Sequence, residues 1–558
     1  MSNPSPALVA QRAVQRLPRW ALLLFCASWV IPGVFGRDPW RSDDLVAFGV
    51  MNAMAEGRTS WLQPLLGGLP VPAEPLPYWL GAIFISGLSP WVAPELAARL
   101  PFALLLALTL VCVWYACFHL ARTEAAQPVA FAFGGEASTV DYARAIADGA
   151  LLALIASLGL LQLGHETTPE LMQLFAVSLV LWALAAAPFK GHRARAGIVL
   201  GLATLAGSGA PAVAVALGLT GAVICARSAY GPARSFVPWI LVGTAACAGI
   251  ATAFGIWGWR LAFEFSLAQA AQLGRQWLWF LWPVWLLALW TLWRWRRQLM
   301  HRHLSLPLAV AALGMGTSIW MGGHDRALML ALPGLAVLAA FALPTMKRSV
   351  AAAVDWFSVF FFSAMVLFIW AMYVAMQTGS PARWAANVAK LQPGFEPSFS
   401  ALALVFALLG TIAWVALVRW RTGRSQHALW KSLVLPAGGV ALVWLLLMSL
   451  WLPLLDYARS ARPLVERGLQ HIGNPACVAA PSAGLAMVAA LEVHGRLRVQ
   501  AGPDTLSQNT NCAVLVSFER ISASRPLPGW RLVGAERRST ASSELMSIYH
   551  RIELDPAR

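Results

Sequence analysis

Charge is scarce in this 558-residue chain: Asp, Glu, Lys and Arg make up 12% of it, against 59% hydrophobic residues. A soluble globular surface needs roughly twice that share of charge, so the composition excludes a soluble protein and implies a polytopic helical membrane protein. Also missing are a P-loop, a Rossmann fingerprint and any nucleotide-sugar motif, which excludes the common nucleotide-dependent enzymes. No internal repeat stands out and few ionisable groups fall inside the apolar runs, which argues against a secondary transporter. The first apolar run, Trp20 to Phe35, follows Arg12, Arg16 and Arg19, yet it ends in Ile31-Pro32-Gly33-Val34-Phe35 rather than in a small-residue cleavage site. An uncleaved first span is expected.

What charge there is has a pattern. The net charge is +16, from 41 basic and 25 acidic residues, and the basic residues cluster in short loops between apolar runs. That is the positive-inside arrangement, and it points to membrane lipids and an anionic lipid phosphate as partners, not to nucleic acid. About thirteen spans are expected at about 20 residues each. They run Trp20 to Phe35, Leu96 to Leu120, Ile146 to Leu163, Leu171 to Pro188, Ala196 to Ala206, Ala210 to Ala226, Val237 to Trp257, Trp277 to Trp295, Ser305 to Met321, Ala327 to Leu343, Trp356 to Met376, Ser400 to Val418 and Leu433 to Leu452. One set of loops holds Lys190/Arg193/Arg195, Arg227/Arg234, Arg294/Arg296/Arg297/Arg302, Lys347/Arg348 and Arg419/Arg421/Arg424/Lys431; the alternate set is poorer in basic residues. The N-terminus is therefore expected inside, with the loop after the first span and the C-terminus outside.

Two expected domains follow: residues 1–453, holding the spans and an outer loop at 37–93, and residues 454–558, a small α/β domain. In the latter, Ala476–Ala480, Arg496–Val499, Cys512–Ser517, Trp530–Ala535 and Leu545–Ile552 read as strands and Ser482–Val493 as a helix. Five cysteines lie in or at the ends of apolar spans. Cys477 and Cys512 alone belong to the outer domain, where an oxidising compartment favours a disulfide over two buried thiols.

The outer loop carries the chemistry. It is too polar at its start and too rich in Pro and Gly to cross a bilayer, yet it holds Trp40, Trp61, Tyr78, Trp79 and Trp91. At its head stand Asp43 and Asp44. One reading is a solvated helix cap, with negative charge at the favourable end; the other is a catalytic base or cation site facing a lipid-borne substrate. The two are compatible.

Further residues of this loop stand in a recognisable order: Asp43-Asp44, Gly57, Trp61-Leu62-Gln63-Pro64, Gly68-Leu69-Pro70, Pro75-Leu76-Pro77-Tyr78-Trp79 and Ala98-Arg99-Leu100-Pro101. In this the chain resembles the GT-C glycosyltransferases, in the branch of the lipid A aminoarabinose transferase and the protein O-mannosyltransferases. The resemblance implies a GT-C membrane fold with a periplasmic α/β domain in the bacterial inner membrane. It also implies a sugar moved from a polyprenyl-phosphate (undecaprenyl-phosphate) donor to an outer-leaflet acceptor, lipid A or a related glycolipid. Protein O-glycosylation on the same scaffold and a flippase of lipid-linked sugars are the alternatives. Asp43 matches the family Asp and is the implied base, with Asp44 as its helper, or as a ligand where a metal is present. The family's Glu-Lys pair is replaced by Pro72-Ala73, with Glu74 following, and Thr167 stands where an Asp is usual, between Glu166 and Glu170. Glu74, Tyr78, Trp79 and Glu166 are therefore the candidate acceptor and loop residues, and a specificity other than aminoarabinose transfer is expected. Arg260, Arg326 and Arg58 are the outward cations expected to meet the donor phosphate, with a snorkelling surface cation as the alternative for each. No cofactor is required by the sequence. A divalent cation remains a candidate, with His165, His324 and Asp325 as ligands, weighed against loop turns and caps.

Overall fold

The computed structural model describes residues 5–40, 42–257, 266–423, 428–502, 510–520, 527–537 and 544–552. Among these, eight helices are long and apolar enough to cross a membrane: Pro94–Ala121, Pro169–Ala186, Gly231–Ala253, Arg302–Trp320, Asp325–Thr345, Arg348–Thr378, Ala401–Thr422 and Lys431–Ser449. Arg19–Val30, Pro75–Leu88, Pro211–Ala226 and Val284–Arg294 are shorter apolar helices.

About thirteen spans were expected and, among the described residues, eight helices reach that length, and two of the expected spans are broken inside the apolar run. Trp277 to Trp295 is not one helix but two, Leu267–Phe280 and Val284–Arg294. Pro283 between them has no N–H to donate and its ring blocks the preceding turn, so the apolar run breaks there. Ile146 to Leu163 is likewise split, into Thr139–Ile155 and the single turn Leu160–Leu163. Hydropathy registers neither break, because it counts apolar residues and not backbone hydrogen bonds. Pro75–Leu88, from the outer loop, is an apolar helix that the expected spans did not include.

The chain forms two compact units. The first comprises Met1–Val34, Phe102–Ile369 and Leu402–Ser449; the second comprises Phe35–Pro101, Trp370–Ala401 and Leu450–Arg558. The outer loop thus clusters with the C-terminal residues. In the first unit, small residues let helices approach closely, as van der Waals association in lipid requires. A Cβ on Gly334 would stand 2.3 Å from the Pro307 carbonyl oxygen, and one on Gly314 2.4 Å from the Ala331 nitrogen. The Asp325–Thr345 segment is nearly all buried as a result, whereas Ala401–Thr422 exposes Leu402, Val405, Phe406, Leu409 and Ile412, a face suited to lipid.

The second unit is built on a five-stranded sheet in the spatial order Val499–Ala501, Val478–Ala480, Val514–Arg520, Glu544–Arg551, Trp530–Arg537. The first three are parallel and the last two antiparallel, with Val478 opposite both Val499 and Val514, and Val516 opposite Ile548. Cys477 and Cys512 are bonded, their Cα atoms 5.2 Å apart. Val465 and Ile472 of helix Arg462–Ile472 and Val488 and Leu491 of helix Leu485–Val493 join Val478, Val514, Val516 and Ile548 in the core. Helix Ser42–Ala55 packs on Pro75–Leu88 and on Leu485–Val493, where a Cβ at Gly49 would already stand 3.0 Å from that of Ala489. A two-residue turn at Gly67-Gly68, both at positive φ, folds Leu65–Leu66 back onto Leu69–Pro70. The Gly67 carbonyl then accepts from the Ala501 N–H at 2.8 Å.

Candidate active site

Asp43 and Asp44 open helix Ser42–Ala55, where the exposed N–H groups of the first turn favour negative charge. The helix turns them to different surroundings: Asp43 is exposed and Asp44 fully buried. A carboxylate removed from water needs a counter-charge. Arg37 supplies it, its Nη2 3.7 Å from Asp44 Oδ2, with the two side chains 0% and 1% exposed. Arg37 also lies over the Trp40 ring at 4.9 Å, and Arg459 lies over the same ring at 5.4 Å.

Around this pair the charges multiply. Arg99 is 4% exposed, and its Nε has no hydrogen-bond partner among the described residues. It stands in the field of Arg37, Asp44, Asp456 and Asp38. Asp38 accepts two hydrogen bonds from Arg462, at 2.8 and 2.7 Å, and one from Ser460 Oγ at 2.8 Å. Burial disfavours its charge, but the Arg462 bonds and charge prevail and hold the carboxyl below its ordinary range. Asp456 accepts from Trp40 Nε1 and from the Asp38 N–H. Burial pushes its carboxyl up to about 6; the Trp40 bond opposes this and the neighbouring Asp38 charge adds to it. The second unit therefore gathers buried cations and carboxylates that differ in proton affinity, an arrangement suited to moving a proton and holding an anion.

The other loop residues mostly fasten this unit. Glu74 precedes helix Pro75–Leu88 and accepts from the buried Tyr78 hydroxyl at 2.9 Å. Trp79 Nε1 donates to the Trp61 carbonyl at 2.7 Å. Arg58 pairs with Glu492 and Glu56, both at 2.5 Å. Burial weakens its hold on the proton but these carboxylates outweigh that, and the guanidinium clamps the loop to helix Leu485–Val493.

In the first unit, Glu166 and Arg326, 160 residues apart, form a buried ion pair at 2.6 Å with side chains 0% and 4% exposed. Gln162 Nε2 donates to the other Glu166 oxygen at 2.9 Å. Sequence reasoning named both residues but did not pair them. The expected cation ligands do not assemble. Both ring nitrogens of His165 face carbonyl oxygens, Trp29 at 2.8 Å and Leu161 at 3.0 Å, and the ring packs between Trp29 and Trp444. Both nitrogens are thus turned to backbone oxygens, and the ring is set in the packing of the first unit. His324 is exposed and precedes the turn at Asp325–Leu328. Among the described residues no group of three or more His, Cys, Asp or Glu is placed to hold a metal ion. Arg260 lies outside the described residues.

Arg37, Asp38, Asp456 and Arg462 were missed. Arg37-Asp38-Pro39-Trp40 stands immediately before the acidic pair and was the available signal for the first two. Asp456 and Arg462 are more than 400 residues from their partners and belong to no motif.

No family profile matches this chain, and no curated protein sequence does either. Its fold is nevertheless known. The chain is similar to ArnT from Cupriavidus metallidurans bound to undecaprenyl phosphate, with a TM-score of 0.59 and 15% identity over 96% of this chain and 98% of that one. The apo state of the same ArnT matches at a TM-score of 0.55 and 14% identity, over 95% and 98% of the two chains. The fold is of the GT-C membrane type with a small C-terminal sheet.

Proposed function

We propose that this protein is a membrane glycosyltransferase that moves a sugar from a polyprenyl-phosphate donor to an outer-leaflet acceptor, lipid A or a related glycolipid. The observation that carries the reading is the acidic pair beyond the first apolar helix, one carboxylate exposed and the other buried against Arg37, on a chain folded like ArnT. In the reaction an acceptor hydroxyl attacks the anomeric carbon, the bond from that carbon to the phosphate oxygen breaks, and polyprenyl phosphate departs with the bonding electrons. Asp43 is in reach of solvent-borne or lipid-borne groups and takes the hydroxyl proton. Asp44, fixed by Arg37, orients that first turn. Arg37 and Arg99 supply buried positive charge for the leaving phosphate, where low dielectric makes it count most. Arg326, positioned by Glu166, is a buried cation of the other unit and a second candidate for a phosphate contact.

The test uses the full chain in vesicles with radiolabelled polyprenyl-phosphate sugars, scored for label in glycolipid and in peptide. Label should enter glycolipid, and Asp43→Asn should cut the rate by about 100-fold or more. Undiminished transfer by that variant would remove Asp43 from the mechanism. Label in peptide would move the reading to protein O-glycosylation. Scrambling of donor across the bilayer with no transfer would make the protein a flippase.

A further inference from the structure

The opposite kind of charge distribution appears in the first unit, at the turn between helices Val284–Arg294 and Arg302–Trp320. Here lies a cleft of about 390 Å³ lined by Pro6, Trp293, Arg294, Trp295, Arg296, Arg297 and Gln298. Three guanidiniums share it, and among the described residues its wall holds no carboxylate and none of the three is in an ion pair. The cleft has a fixed floor. Trp295 is 1% exposed; its Nε1 donates to the Phe341 carbonyl at 3.1 Å, and its ring meets Phe341 and His303 edge-on. Successive turns, Trp295 N–H to Thr291 oxygen, Gln298 N–H to Trp295 oxygen and His301 N–H to Gln298 oxygen, return the chain to the next helix. They leave Arg294, Arg296 and Arg297 exposed around the buried tryptophan. Trp293, 55% exposed, lies under the Arg294 guanidinium at 5.9 Å.

We propose that this cleft binds the phosphodiester headgroup of an anionic phospholipid. Guanidinium forks match phosphate oxygens in geometry and charge, and three together, none of them ion-paired among the described residues, call for an anionic occupant. Exposed tryptophan beside them at the end of an apolar helix sets the depth at the headgroup layer, where basic pockets between membrane helices take acidic lipids. None of the residues lining this cleft is assigned to the transfer reaction.

The full-length protein is reconstituted in phosphatidylcholine vesicles with and without phosphatidylglycerol, extracted into detergent, and its retained lipid counted by native mass spectrometry. Phosphatidylglycerol should be retained in preference to phosphatidylcholine. The variant R294Q/R296Q/R297Q should lower that retention at least about tenfold. Removing the same charge elsewhere, in R193Q/R227Q/R234Q, should leave it unchanged, and R294K/R296K/R297K, which keeps the charge and inserts as the wild type does, should fall between. Equal retention by wild type and the glutamine variant would overturn the proposal, as would equal losses in the two glutamine variants. Displacement of the lipid by glycerol 3-phosphate at comparable concentration would reassign the cleft to a soluble phosphate.

Discussion

Each unit buries a carboxylate against a guanidinium, and the two pairs are not alike. Glu166 and Arg326 meet at 2.6 Å, with Gln162 on the second carboxylate oxygen. Asp44 and Arg37 stand at 3.7 Å, beyond hydrogen-bonding range for that contact, in a neighbourhood that also holds Arg99, Asp38, Asp456 and Arg462. A tight, hydrogen-bonded pair satisfies itself and holds two segments of chain in register. The wider-spaced pair stands among further buried charges of both signs, a setting suited to holding an anion. The first pair holds two segments in register, with Arg326 kept as a second candidate for a phosphate contact, and the proposed chemistry lies at the second.

The largest expected effect breaks the tight pair. Glu166→Ala leaves a guanidinium buried without its carboxylate and should cost about 3–5 kcal/mol of stability, read as loss of the folded fraction on thermal unfolding in detergent. The double variant Glu166→Leu with Arg326→Leu should recover most of that loss, because two apolar side chains need no counter-charge. Next comes the looser pair: Asp44→Asn should lower transfer about 100-fold while changing unfolding less than Glu166→Ala does. An Asp44→Asn protein that unfolds as readily as Glu166→Ala would erase the distinction between the two pairs.

A smaller effect sharpens the charge network of the second unit. The Asp456 carboxyl sits near 6, above its ordinary value of about 4, because burial disfavours its ionised form. The folded protein therefore holds this proton more tightly than the unfolded chain does, and stability is lost as pH rises from about 4 through about 6. Asp456→Asn removes that cost while keeping an acceptor for Trp40. Its unfolding temperature should match the wild type near pH 4 and exceed it near pH 7.5, by the equivalent of about 2 kcal/mol. The lowered carboxyl of Asp38 works in the opposite sense, its stabilisation present above about pH 4 and lost below, so the comparison with Asp456→Asn isolates the one group. The smallest effect belongs to Arg58, whose side chain is 32% exposed. Arg58→Ala should cost about 1 kcal/mol after solvent screening, and a loss of transfer beyond what that instability explains would restore it to phosphate binding.

Much of this architecture was legible. Apolar runs separated by basic loops marked the membrane helices, since hydrophobic length is a local property that survives reading one residue at a time. Short apolar runs such as Ala476–Ala480 and Cys512–Ser517 marked strands of a sheet that the structure contains. Where local rules competed, reading failed: the run Trp277 to Trp295 is apolar enough to span, and Pro283 breaks it. The acidic pair was visible, but which of its members is buried was not, because that depends on what packs against helix Ser42–Ala55.

Sequence alone determined that the chain lives in a bilayer, that it carries an acidic pair just past the first helix, and that its tail is a small sheet-bearing region. These follow from composition and short-range pattern. Tertiary structure alone decided that Asp44 faces Arg37, that Asp38 is held by Arg462, that Asp456 keeps its proton to about 6, and that Glu166 meets Arg326. Electrostatic energy depends on distance in space and on exclusion of water. Neither is written along the chain when the partners lie 160 or 416 residues apart.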